Sequence, residues 1–84
     1  MKQVLMYTGD YCPHCEAAKA LLESKKVKIK EIDIWKSEEK RAEMQKRTGG
    51  AKTIPQIFIG DLYVGGNDEL QALNREGKLD PLLK

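Results

Sequence analysis

Cys12 and Cys15, the only cysteines of this 84-residue chain, stand three apart as Cys12-Pro13-His14-Cys15. They fall where an apolar run, Val4 to Tyr7, gives way to a helix-like stretch from Glu16 to Ser24. A thiol at a helix start sees the positive end of the backbone dipole, which favours thiolate and therefore nucleophilic reactivity. Such a pair either cycles between dithiol and disulfide or supplies ligands to a metal. Read as a redox couple, Cys12 at the exposed helix start is the attacking thiolate, and Cys15, one turn later, is the resolving thiol. Pro13 acts through rigidity. His14 could stabilise the thiolate as an imidazolium or accept a proton as a neutral ring; the plainer reading is an exposed helix residue with no catalytic duty.

Metal binding fits poorly within one chain. A structural zinc site draws on about four ligands, commonly as two separated pairs; this chain offers Cys12, Cys15 and its only histidine, His14. A c-type haem signature fails because Glu16, not histidine, follows Cys15. An iron–sulfur cluster shared between two chains, completed by outside thiols, stays open. A structural disulfide across so short a loop stabilises little, so cysteine usage points to chemistry in a compartment where dithiols cycle.

The length implies one domain spanning 1–84, with a small core and a thin stability margin. Lysine and arginine number 15 against 13 acidic residues, so the net charge of +2 offers no strong field to an anionic polymer. The densest basic cluster, Lys25, Lys26, Lys28 and Lys30, alternates with Val27 and Ile29 like the wet face of a strand. Without a basic stripe interleaved with aromatics, a nucleic-acid partner is not expected. The apolar run near Met1 is too short for a signal peptide, and no stretch approaches the ~20 apolar residues of a membrane span, so the expectation is a cytoplasmic monomer without a membrane partner.

The surrounding elements follow from periodicity and punctuation. Val4 to Tyr7 reads as a buried strand. Pro13 suits a first helical position, and Ala17, Ala18, Leu21 and Leu22 form the inner face of the helix that follows. Val27 to Ile34 reads as a second strand with a slip in register near Glu31. Ser37 caps a helix whose last turn carries Lys46 and Arg47 before Gly49-Gly50 stops it; its thin apolar stripe, Ala42 and Met44, predicts loose packing or a place near the surface. Ile57 to Ile59 and Leu62 to Val64 form a hairpin around Gly60-Asp61. After Gly65-Gly66, Asn67 is expected to cap a last helix, with Leu70 and Leu73 inward, and the tail from Leu79 to Leu83 to cover the core edge. The order is β-α-β-α-β-β-α.

Two further motifs bear on the site. Thr53-Ile54-Pro55 precedes the third strand, where proline starts an edge strand or sits in a turn. Gly65-Gly66-Asn67-Asp68 allows close backbone approach and leaves helix-start N–H groups aimed at an anion, although an ordinary strand-to-helix turn has the same residues.

Taken in order, Cys12-Pro13-His14-Cys15, Thr53-Ile54-Pro55 and Gly65-Gly66-Asn67-Asp68 form a specific combination. With Gln56-Ile57-Phe58-Ile59 and the ending Leu79-Asp80-Pro81-Leu82-Leu83, the chain resembles a small bacterial-type dithiol glutaredoxin over essentially its whole length. The resemblance implies an α/β thioredoxin fold: a four-stranded mixed sheet of order 2-1-3-4 flanked by three helices, with the Thr-Ile-Pro proline cis and facing the cysteines. It implies glutathione as reductant and co-substrate, with no metal cofactor, and an enzyme that reduces protein disulfides and glutathione mixed disulfides. Ile54 would pair its backbone with the cysteinyl part of glutathione, with Thr53, Pro55 and Gly66 beside it. Asn67 and Asp68 would receive the γ-glutamyl end, Gln56, Lys46, Arg47 or Lys52 the glycine carboxylate, and Tyr11 would add an aromatic wall.

The chain departs from that pattern in two places. Gly9 and Asp10 occupy a stretch where many relatives carry lysine, and His14 stands where tyrosine is common. Two rival functions remain: a redoxin recharged by thioredoxin reductase and serving ribonucleotide reductase, and a glutathione-ligated iron–sulfur carrier dimer.

Overall fold

The structure, a computed structural model, describes residues 2–84. It has four strands, β1 (Val4–Thr8), β2 (Ile29–Asp33), β3 (Gln56–Ile59) and β4 (Leu62–Gly65), and four helices, α1 (Pro13–Ser24), α2 (Glu38–Thr48), α3 (Asn67–Arg75) and α4 (Leu79–Leu83). The sheet order is β2-β1-β3-β4. β2 runs parallel to β1, whereas β3 pairs antiparallel with β1 and β4 antiparallel with β3. This is the mixed sheet of the thioredoxin fold. Among the described residues, no helix is long and apolar enough to cross a membrane.

The sheet is covered on both faces, and alternation along the strands sorts the core into two clusters. Val4 and Met6 of β1 and Ile57 and Ile59 of β3 meet Ala18 and Leu22 of α1 and Leu70 of α3 on one face. Tyr7 and Phe58 meet Ile34 and Met44 on the other. β2 and its flanks divide between them: Ile29, with Val27 just before the strand, joins the first cluster, and Ile32, with Ile34 just after it, the second. The expected slip near Glu31 is absent, for β1–β2 pairing runs unbroken from Val4↔Ile29 to Thr8↔Asp33. What the sequence shows as a break in alternation is a strand serving both faces in turn.

Two local expectations are corrected and one holds. Ala17 is exposed on the outside of α1, leaving the buried face to Cys15, Ala18 and Leu22. α2 lies near the surface, as its thin stripe predicts: Met44 is its one buried residue, and Ala42 is exposed. Tyr7 Oη adds a polar anchor, donating to Glu43 Oε2 at 2.7 Å and accepting from an Arg47 guanidinium nitrogen at 3.1 Å. The tail forms a fourth, five-residue helix that buries Leu79 and Leu83, a length too short to register as helical periodicity.

Both ends of α2 behave as its composition predicts. Ser37 Oγ accepts from the Lys40 N–H at 3.3 Å, and Gly49, at φ 74°, adopts the left-handed cap.

Candidate active site

Cys12 is the N-cap of α1, with Pro13 at the first helical position. Its extended backbone turns the side chain back over the helix start, where Sγ accepts the Cys15 N–H at 3.1 Å. The thiol can also donate to the Ile54 carbonyl, 3.9 Å away. One sulfur therefore meets a helix-start donor and the backbone that precedes Pro55. The Ile54–Pro55 peptide bond is cis.

Cys15 occupies a different environment. It is buried against the sheet, and burial pushes its thiol up to about 12, reinforced by the hydrogen bond to Cys12 and by the Cys12 charge; the Gly9 backbone and Lys19 act in the opposite sense. Desolvation dominates because a thiolate at this depth loses hydration, and the Lys19 charge offsets only part of that loss. The two cysteines are thus unequal before any substrate arrives: one half-exposed at a helix start, one buried and protonated.

Two grooves meet at Thr53 and Ile54. The first, about 220 Å³, runs from His14 past Thr53, Ile54 and Pro55 to Gly66, Asn67 and Asp68 at the start of α3. The second, about 640 Å³, lies on the other side of Ile54, between Trp35, Glu38 and Arg41 and the Lys52–Thr53 backbone. The N-cap of α3 is Gly66 rather than the expected Asn67, which is the first helical residue. Glu69 Oε1 takes the Gly66 N–H at 2.8 Å, and the next first-turn N–H groups, of Asn67 and Asp68, have no acceptor within the helix. A carboxylate entering the first groove meets those donors at the positive helix end.

Trp35, largely exposed, lines the second groove beside Ile54. A Cβ at Gly9 would fall 2.5 Å from Trp35 Cδ1 and Nε1 and 2.8 Å from Ile54 Cδ1, so the indole and Ile54 occupy the space above this glycine. That contact leaves no room for a side chain at this position.

Of the expected site residues, His14, Thr53, Ile54, Pro55, Gly66, Asn67 and Asp68 line one groove. Tyr11 does not wall it: the residue adopts φ 55° and its side chain is 97 % exposed. Among the expected carboxylate ligands, only Lys52 reaches a groove. Gln56 is buried and committed to Thr53 and Tyr63. Arg47 lies 4.2 Å over the Phe58 ring and bonds Tyr7, and Lys46 lines neither groove. Arg41 and Trp35 escape the sequence reading. A usable signal for Arg41 existed: in α/β folds, ligand crevices open at the strands' carboxyl ends, where the following helices begin. Arg41 lies in the first turns of α2, while Lys46 and Arg47 are about 8–9 Å further along its axis. Among the described residues, no group of three or more histidine, cysteine, aspartate or glutamate side chains converges to hold a metal ion.

A thioredoxin-like sheet carrying a two-cysteine helix start opposite a cis-proline defines the class: a thiol–disulfide oxidoreductase of the thioredoxin fold. The glutaredoxin family model matches residues 4–64, and the chain belongs to the glutaredoxin family. Glutaredoxin 3 of Escherichia coli strain K12 is 51% identical over 84 residues, covering 100% of both chains. The solution structure of a glutaredoxin from Brucella melitensis superposes with a TM-score of 0.87 at 55% identity, covering 100% of this chain and 90% of that one. A buckwheat glutaredoxin–glutathione complex aligns with a TM-score of 0.86 at 28% identity, over 95% of this chain and 74% of that one.

Proposed function

We propose that this protein is a glutathione-dependent oxidoreductase that reduces glutathione mixed disulfides with Cys12 and protein disulfides with Cys12 and Cys15. The observation that carries this reading is the approach of Cys12 Sγ to within 3.9 Å of the carbonyl of Ile54, a residue that lines the groove running to the start of α3. The cysteinyl backbone of glutathione would pair with Ile54 as a short added strand. Its γ-glutamyl carboxylate would take the Asn67 and Asp68 N–H groups, and its amine the Asp68 carboxylate. The glycine end would lie toward Arg41 and Lys52, with Trp35 as an apolar wall. That a buckwheat relative forms a complex with glutathione supports glutathione as the ligand.

In the reaction, Cys12 thiolate attacks the glutathionyl sulfur of a mixed disulfide. An S–S bond forms between Cys12 and glutathione as the old S–S bond breaks, and the displaced thiolate takes a proton from water. A second glutathione thiolate then attacks the glutathionyl sulfur on Cys12, releasing glutathione disulfide and restoring the Cys12 thiolate. With a protein disulfide, the mixed disulfide forms on Cys12 and Cys15 resolves it, leaving a Cys12–Cys15 disulfide that two glutathiones reduce. Cys15 is held protonated at rest partly by the hydrogen bond and charge of Cys12. Both disappear once Cys12 is bonded to substrate, so the resolving thiol ionises more readily at the stage that needs it. A cytoplasmic setting, where glutathione is abundant and reduced, and action as a monomer belong to the same reading.

Cys15→Ser should retain most activity on a glutathione mixed disulfide and lose reduction of a protein disulfide. Complete loss of both would overturn this division of labour. A coupled NADPH assay with glutathione and glutathione reductase, run beside one with thioredoxin reductase, tests the reductant; turnover with thioredoxin reductase alone would reverse the assignment.

A further inference from the structure

Gln56 and Tyr63 lie outside both grooves yet are bonded to the segment that lines them. We propose that Tyr63 and Gln56 form a relay that aims the Ile54 N–H into the substrate groove, making Tyr63 a positioning residue for glutathione. The inference rests on the glutathione reading above and assigns the part of the fold that holds its central backbone contact.

Gln56 Nε2 donates to the Thr53 carbonyl at 3.0 Å and to Thr53 Oγ1 at 3.2 Å. A carbonyl only accepts, so the amide nitrogen must face Thr53 and the amide oxygen must face the other way. There it meets Tyr63 Oη, which must donate. Reversing the amide would set two acceptors against each other at the Thr53 carbonyl, so that end fixes the orientation of Gln56 and makes Tyr63 the donor at the other. Burial and the nearby Glu69 charge both push the Tyr63 phenol up, so it keeps the proton it donates. Its ring is held independently of that bond, stacked on Phe58 at 5.0 Å between centroids.

The consequence at the groove follows from peptide geometry. The Thr53–Ile54 bond is trans, so its C=O and N–H point in opposite directions within one plane. Holding the Thr53 carbonyl toward Gln56 directs the Ile54 N–H away from Gln56, on the side where the groove runs. Without the relay, the peptide plane could rock and the N–H would be offered to the ligand for only part of the time. Binding would weaken while chemistry at Cys12 continued.

Tyr63→Phe keeps the stacked ring and removes only the donor. With a glutathione mixed disulfide, it should raise KM about 3- to 10-fold, the scale of one buried hydrogen-bond partner lost, and leave kcat within about two-fold, as expected when binding alone is weakened. Gln56→Met, of similar volume, should raise KM at least as far, and the double variant should go no further than Gln56→Met, because the two residues act as one unit. The rate of Cys12 alkylation by iodoacetamide, a reagent too small to need the groove, should match wild type in each. All assays are run below the melting transition of the least stable variant, where KM still reads the groove. Wild-type KM in Tyr63→Phe, or KM increases that multiply in the double variant, would overturn the relay. The glutathione reading is tested separately: if wild type reduces a 2-mercaptoethanol mixed disulfide as efficiently as the glutathione one, that reading fails and takes the relay with it.

Discussion

Cys15 owes its role to what surrounds its sulfur. Burial pushes its thiol from an ordinary 9.0 to about 12, so at neutral pH it is a protonated reserve rather than a second nucleophile. Iodoacetamide at neutral pH should therefore place a single alkyl group on the reduced protein, at Cys12, by mass spectrometry; two groups on folded protein would contradict the burial argument. The same shift links stability to pH. Below the unfolded value, both states keep the Cys15 proton and the full contribution is present. As pH rises above it, the unfolded chain binds fewer protons than the folded one, so stability falls progressively toward the folded value of about 12. In alkaline denaturation experiments, Cys15→Ser should lack this part of the decline. Gly9 carries the second residue-scale prediction. Any Cβ there collides with the Trp35 ring, so Gly9→Ala should swing the indole outward, shift the emission of the chain's single tryptophan to the red and raise KM. Unchanged fluorescence would show that the ring does not depend on the space above Gly9.

At the scale of elements, α1, α2 and α3 each present their N-terminal end to the site by a different local device. α1 uses Cys12 itself as cap, so the reactive sulfur and the helix signal are one atom. α3 has a glycine cap with no side chain to offer, and Glu69 bonds the Gly66 N–H instead. Gly65 makes room for that carboxylate: a Cβ there would lie 2.6 Å from Glu69 Oε1, on a backbone at φ 115° that other residues resist. Gly65→Ala should cost about 1–3 kcal/mol through strain and the lost cap contact, a fall in Tm of roughly 4–8 °C per kcal/mol in a domain of this size. Glu69→Gln, which keeps an acceptor, should melt close to wild type. Equal Tm for Gly65→Ala and wild type would remove Glu69 from any structural role at this helix start. α2 works by phase and length: Met44 fastens it to the sheet, and Arg41, near its start, is the cation that turns toward the site.

In the whole molecule, β1 and β3 are the inner strands between two clusters of buried side chains, and each contributes to both. The active loop after β1 and the Thr53–Pro55 segment before β3 are anchored by these strands, so the Cys12–Ile54 approach is held by the most enclosed part of the sheet. β4 is an edge strand with Leu62 and Tyr63 partly open, and α4 is a single short turn-and-a-half at the periphery. Native-state amide exchange should accordingly be slowest in β1 and β3 and faster in β4 and α4. Faster exchange in β1 than in α4 would show that the rigid part of the fold lies elsewhere.

Element order as far as α3, the redox assignment of the cysteine pair and the turn at Gly60-Asp61 were legible in the sequence alone, because each depends on residues a few positions apart acting through dihedral preference, capping and periodicity. The paired motifs also carried the family resemblance that completed the sheet order. Tertiary structure alone decided which distant side chains meet. It withdrew Gln56 and Arg47 from the glycine-carboxylate candidates by binding one to Thr53 and Tyr63 and the other to Tyr7 and Phe58, and it brought Arg41 and Trp35 to the groove. It also turned the apparent slip in β2 into service to two faces. The physical reason is common to all of these: a side chain's partner is chosen by the packing of strands and helices far apart in the chain, which local spacing does not encode.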